Sequence, residues 1–360
     1  MKKILLSFAL ITIMLFSCQN DCWNFFGIDN KVDVILHVST PTMDSSRGET
    51  SGLDSALGAI NNFDNNSELW NNYDLRYIIE IYEVISNGTD STFSTTPIYK
   101  RQVHTSDHYI QNDIQFETQV IANRTYLFVI WADFVEENKR DDLYYDTTNL
   151  REISRKQAYA HTAMEEALDA YHICATETIT SSTTLNLTLT RPLAKLRVVA
   201  LDYNEISNYS KPTNVSVKFD TENNPVYKTF NALTSEISNN CITHEYNYSV
   251  DPMPYQEYSG TTTSGESLSG FVLFSDYIFA PRNISKEVRN EYPVSFSMTI
   301  IYDNNEEINH DVDFDTQIPL SRNYLTTLVS NCLTQSESFI VKIDDTLLSE
   351  EVIDAEQATK

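Results

Sequence analysis

The chain has 360 residues, with 51 acidic against 25 basic side chains and a formal charge of −26. That balance excludes nucleic acid and anionic membrane surfaces as partners, because both repel a strongly acidic protein. With 41% apolar residues the chain can fill two cores, and its length fits two domains better than one.

Lys2 and Lys3 precede an apolar run from Ile4 to Phe16, too short to span a bilayer and with the charge layout of an export signal. The run ends in Leu15-Phe16-Ser17-Cys18, which looks like a bacterial lipobox. It predicts a signal peptide over 1–17, cleavage before Cys18 and acylation of that cysteine by palmitate, so lipid and not a helix meets the membrane. Residues 18–31 read as the lipidated linker. Cys22, Cys174, Cys241 and Cys332 follow at irregular intervals, which excludes a disulfide framework and a C-x-x-C metal or redox site. Cys174 and Cys332 fall in strand-like runs and are expected as small buried hydrophobes.

Val32, Val34, Leu36 and Val38 alternate with Asp33 and His37, the period of a half-buried strand. From Ser39 to Asn66 the chain is rich in Ser, Asp, Asn and Gly, a long exposed loop whose only basic residue is Arg47. Leu75, Tyr77, Ile79 and Ile81 share one face of a strand that ends at an Asn87-Gly88 turn. Tyr126 to Val135 is apolar on both faces except at Asp133, the mark of a central strand; Asp133 reads as a carboxylate capping a turn. Between Leu150 and His172 the pattern suggests one or two short helices.

The stretch Thr184 to Asp202 alternates until Arg191-Pro192, where proline removes a backbone donor. It reads as a strand that leaves one sheet, bends, and begins another. Arg191 and Lys195 show no partner constellation. Val215 to Phe219 and Phe271 to Ala280 are further strands. Val294 to Ile300 is expected to pair with Ile308, Val312 and Phe314 across the turn at Asp303 to Glu306. Tyr324 to Leu333 and Phe339 to Ile343 close the pattern, and the acidic tail is expected to fray. Many short strands with scant helix predict an all-β chain of two tandem β-sandwich domains, 32–190 and 191–345, followed by a tail at 346–360.

No motif carries chemistry, so neither an enzyme nor a cofactor is expected. Gly265-Glu266-Ser267-Leu268-Ser269-Gly270 comes nearest to a nucleophile elbow, but serine stands where the second glycine belongs. Eight glycines without a Gly-rich phosphate loop leave no nucleotide cradle. Seven histidines include no H-E-x-x-H, and the pair four apart, His104 and His108, lies in a segment without helical period, so no metal site is expected. His161 and Glu165 read as a solvated pair on a helix face.

Several phrases together resemble the fimbrillin-like lipoproteins, the pilin and pilus-accessory superfamily of Bacteroidales-type bacteria. They are the lipobox at Cys18, YLFVIWADFV with YYDTTNL after it, Asp169-Ala170-Tyr171, RPLAKLRVVALD, DYIFAP at Asp276 to Pro281, and IPLSRNYLTTLVSNCLT at Ile318 to Thr334. The resemblance implies transthyretin-like sandwiches and a surface fimbrial subunit, tip or anchor of the outer membrane, with other fimbrial subunits as partners and a host or bacterial surface ligand. For polymerising members it implies that an arginine-specific protease cuts the loop after the first strand, and that a neighbour's strand fills the slot left behind. Here Val32 to Val38 would be the strand removed and Arg47 the cut site. The irregular tail after Asp345 departs from a donor strand and leaves room for an uncleaved anchor or accessory subunit. The alternative is a surface glycan-binding lipoprotein using Trp70 and Tyr73. A hydrolase would need a constellation around Ser267.

Overall fold

The computed structural model describes residues 30–39, 72–87, 90–105, 113–159, 163–206, 212–219, 226–238, 245–249, 257–261, 267–281, 293–304, 306–312, 318–320, 322, 325–334, 340–344 and 350–352. Its first ten strands are β1 (Lys31–Ser39), β2 (Tyr73–Asn87), β3 (Asp90–Phe93), β4 (Tyr99–Thr105), β5 (Asp113–Ile121), β6 (Arg124–Glu136), β7 (Tyr145–Asp146), β8 (Ile153–Arg155), β9 (Ala170–Ile179) and β10 (Thr183–Thr188). Then come β11 (Leu193–Ala200), β12 (Pro212–Phe219), β13 (Thr229–Asn231), β14 (Glu236–Ile237), β15 (Glu245–Ser249), β16 (Glu257–Thr261) and β17 (Ser267–Phe279). The last seven are β18 (Pro293–Val294), β19 (Phe296–Tyr302), β20 (Glu307–Val312), β21 (Ile318–Pro319), β22 (Leu325–Ser330), β23 (Ile340–Asp344) and β24 (Glu350–Val352). The fold is all-β, in several sheets packed as sandwiches, as the strand periodicity predicts.

One core lies between the sheet β10-β1-β5 and the sheet β3-β2-β6-β9, which also carries β4 on β2. β6 is central: it pairs with β2 from Tyr73↔Glu136 to Glu83↔Tyr126 and with β9 on its other edge. Its two faces are both covered, because Ile130 and Phe134 alternate with Val129, Trp131 and Val135, all fully buried. A strand apolar on both faces has no solvated side to offer.

The second core lies between β16-β17-β11-β22-β23-β24 and β15-β12-β19-β20. β11 sits mid-sheet, antiparallel to β17 and parallel to β22, and every one of its residues is buried. The chain leaves β1's sheet at Thr188 and enters β17's at Leu193, with the Arg191-Pro192 bend between them. A small sheet, β14-β13-β8-β7, joins strands from early and late in the chain. Its Phe230, Ile153 and Tyr145 enter the first core, where Trp131 meets Tyr145 at 5.5 Å and Phe230 at 6.1 Å between ring centroids.

Three expectations need correction. The stretch from Leu150 to His172 holds β8, the start of β9 and two single 3-10 turns, Gln157–Tyr159 and Glu166–Leu168. Its apolar residues serve the core from turns, and Glu165 caps the second turn by accepting from Ala167 N–H at 3.0 Å. The tail does not simply fray, since Glu350–Val352 pairs with β23, Lys342 facing Val352. Cys332 is buried as expected, but Cys174 is only half-buried, on edge strand β9. The expected pairing across the Asp303 turn is present, with Phe296↔Val312 and Ile300↔Ile308. His161, Trp70 and Phe314 lie outside the described residues.

Candidate strand-exchange site

β1 carries the alternation read from its sequence, and each inward residue has a facing partner. Val34, Leu36 and Val38 are fully buried. Across β5 they face Thr118, Phe116 and Ile114, and across the parallel β10 Leu36 and Val38 face Leu185 and Leu187. The outward side is polar apart from Ile35. Asp33 Oδ1 accepts from Gln119 Nε2 at 2.8 Å, Asp33 N–H donates to Ser182 Oγ at 3.1 Å, and the Ser39 and Thr188 hydroxyls are 3.1 Å apart. The ladder continues past both ends: Ala122 N–H donates to Asn30 O and Leu189 N–H to Ser39 O, each at 2.8 Å.

Burying a Val or Leu side chain contributes about 1.5–3 kcal/mol, so the three together contribute roughly 5–9 kcal/mol. A typical domain is stable by only about 5–15 kcal/mol. β1 therefore cannot leave without replacement: its withdrawal opens an apolar slot and leaves the facing edges of β5 and β10 unpaired. Any strand that filled the slot would have to match this alternation, since a one-residue slip would turn its polar side inward. Cys18 and Arg47 lie outside the described residues.

The charged residues of the strands are spent on buried pairs. Asp133 is not a turn cap. Its side chain is fully buried and takes a two-pronged contact from Arg76 on the facing strand, Nε to Oδ1 at 2.9 Å and Nη2 to Oδ2 at 2.7 Å. Arg76 Nη1 reaches Asp142 at 2.7 Å, which ties down the loop after β6. Arg76 and Asp133 face each other across β2 and β6, and each lies between apolar neighbours, where an unpaired charge would be prohibitive.

Arg191 and Lys195, which lacked partners in the sequence, have them in space. Arg191 Nε donates to Asp169 Oδ2 at 2.7 Å, and Asp169 also accepts from the Tyr171 hydroxyl at 2.9 Å. Burial pushes the Asp169 carboxyl up, with Arg191 pulling against it. Lys195 Nζ lies 2.5 Å from Glu166 Oε2, which also accepts from the Tyr277 hydroxyl at 2.9 Å. Burial lowers the Lys195 pKa in spite of Glu166. Arg155 grips Asp276 at 2.5 Å, and the Tyr246 hydroxyl donates to the same carboxylate.

The remaining candidates are dispersed. Ser267 is exposed on β17, paired with Thr261. Tyr73 is half-buried, and its hydroxyl lies 3.0 Å from that of Tyr144. His104 lies on β4, and His108 is outside the described residues. Among the described residues, no group of three or more His, Cys, Asp and Glu could hold a metal ion. No described helix is long and apolar enough to cross a membrane.

A family model described as a family of unknown function, DUF6562, matches residues 27–359. The chain belongs to this family. No curated protein matches it. Among solved structures, this DUF6562 member is similar to a candidate adhesin from Bacteroides thetaiotaomicron, at 12% identity and a TM-score of 0.44 over 90% of this chain and 98% of that one. It is also similar to a fimbrial assembly protein from Parabacteroides distasonis, at 10% identity and a TM-score of 0.35 over 90% and 98% of the two chains. The fimbrial anchor protein Mfa2 from Porphyromonas gingivalis is 7% identical, with a TM-score of 0.38 over 89% and 100%.

Proposed function

We propose that the chain is a surface-anchored fimbrial structural or accessory subunit, held to the outer membrane by lipid on Cys18 and contributing to adhesion, and that it assembles by exchanging β1. The observation that supports this reading is the position of β1. The first described strand of the chain is the middle strand of its sheet, with three side chains fully buried and two ladders made. A strand so placed can be replaced only by another of the same alternation. Arg47 follows it in a Ser/Asp/Gly-rich stretch, where a cut would free β1 from the rest of the chain. The pairing of β24 with the chain's own β23 favours an anchor or accessory subunit over one that donates its tail.

The test is incubation of the purified chain with an arginine-specific protease. The expected result is a product beginning at Gly48 and a ladder of oligomers on unheated gels. An intact chain, or a cut chain that stays monomeric, rules out assembly by exchange. Anchoring is tested separately: Cys18→Ser should move the protein from the membrane fraction to the soluble fraction of the producing cells.

A further inference from the structure

The small joining sheet has a second face. Along β13, β8 and β7 the inward side chains Phe230, Ile153 and Tyr145 are buried in the first core. The alternate positions, Thr229, Ser154 and Asp146, fall on the other side and stand in register across the three strands, Thr229↔Ser154↔Asp146. At the ordinary separation of paired strands this is a polar row roughly 10 Å long. It lines a cleft of about 320 Å³ whose walls carry Asn149, Glu152 and Lys228. That volume is at the lower end of small-molecule sites, and the sheet beneath the cleft is built from early and late parts of the chain.

The groups in this cleft are largely unspent. Lys228 and Glu152 share it without forming an ion pair among the described residues. Asp146 uses Oδ1 to accept from Thr148 N–H at 3.1 Å, and Asn149 uses Oδ1 to accept from Arg151 N–H at 3.0 Å, which leaves Asp146 Oδ2 and the Asn149 amide group for a ligand. Hydroxyls, an amide, two carboxylates and an ammonium together offer donors and acceptors in alternation, with neither charge in command. An anion would meet Asp146 and Glu152 and the field of a chain of charge −26. A cation would meet Lys228. A neutral molecule dense in hydroxyls satisfies both kinds of group at once.

We infer that this cleft binds a neutral oligosaccharide, with Asp146, Ser154 and Thr229 hydrogen-bonding along one sugar face and Lys228 and Asn149 closing over it. The site lacks an aromatic platform, so affinity comes from hydrogen bonds alone and is weak for a single site. It is independent of β1 and of strand exchange, and either can fail without the other.

The experiment is saturation-transfer NMR on the full mature chain with maltotriose, mannotriose and chitotriose, and a heparin-derived disaccharide as the anionic control. Transfer is expected to at least one neutral trisaccharide and not to the heparin disaccharide. Ser154→Trp should abolish it, and Lys228→Ala, at an exposed position, should weaken it about tenfold. The inference is overturned by no transfer to any of the three trisaccharides, by preference for the heparin disaccharide, or by transfer that Ser154→Trp leaves intact. If Ser154→Trp melts early, Lys228→Ala decides: an unchanged dissociation constant overturns the assignment.

Discussion

The Asp169–Arg191 pair shows what a single buried charge can cost. Both side chains are at most 2% exposed, and a buried pair that loses one partner leaves a charge with no water to solvate it. Asp169→Asn is therefore expected to destabilise the fold by about 3–5 kcal/mol, read as a lowered urea midpoint. A loss under about 1 kcal/mol would place Arg191 in a more solvated setting than described. Asp142 makes a pH prediction. Burial acts to raise its carboxyl, but the Thr147 hydroxyl and N–H and the Arg76 guanidinium outweigh it and hold the group below its ordinary value. A carboxyl depressed in the folded state contributes stability that is present above the unfolded value of about 3.9 and lost as pH falls through the folded one. The stability gap between the native chain and Asp142→Asn should thus be widest near neutral pH and shrink below about pH 4. Urea titrations of both proteins across that range check it, and a gap that grows on acidification would contradict the assignment.

At the scale of elements, β11 and β17 meet through a register shift between Val198 and Val199. There a Cβ built on Gly270 would come 2.3 Å from the Ala200 carbonyl oxygen. Backbone cannot step aside as a flexible side chain can, so Gly270→Ala should cost about 1–3 kcal/mol and lower the melting temperature; Ser267 to Gly270 of the phrase nearest to a nucleophile elbow are thus the start of strand β17. Elements with strong period were legible before any coordinates: β1 from its alternating valines, β6 from its two apolar faces, and the Arg191-Pro192 sheet change from proline itself. The residues from 150 to 172 were not. Their loosened pattern comes from turns whose apolar side chains reach a core made elsewhere, and no local period records that. The pairs Arg191–Asp169 and Lys195–Glu166 were equally hidden, because separations of 22 and 29 residues carry no local signature. The polar cleft depends on the register of β13 against β8 and β7, which lie far from it in the sequence, and alternation alone cannot supply that.

At the scale of the whole molecule, the recurring phrases converge. Asp169 and Tyr171 hold Arg191, Tyr277 shares Glu166 with Lys195, Asp276 takes Arg155, and Arg322 donates to Ala280 O at 3.2 Å and to Ser235 Oγ at 2.8 Å. These are joints between strands, and they tie together the sheets on either side of the Arg191-Pro192 bend, the frame that the proposed exchange of β1 would leave in place. If that division of labour is right, the frame should survive the loss of β1 in a form that a strand can repair. A chain starting at Gly48 should then unfold at much lower urea than the native protein, since roughly 5–9 kcal/mol of side-chain burial is gone. Adding a synthetic peptide of Lys31–Ser39 should restore most of the midpoint. The same peptide with Leu36→Asp should restore none of it, because a carboxylate would be forced against Phe116 and Leu185 in a sealed core. Equal rescue by both peptides would mean that the ladder alone recruits the strand. Native-like stability of the Gly48 chain without any peptide would mean that β1 is dispensable, and that exchange has nothing to act on.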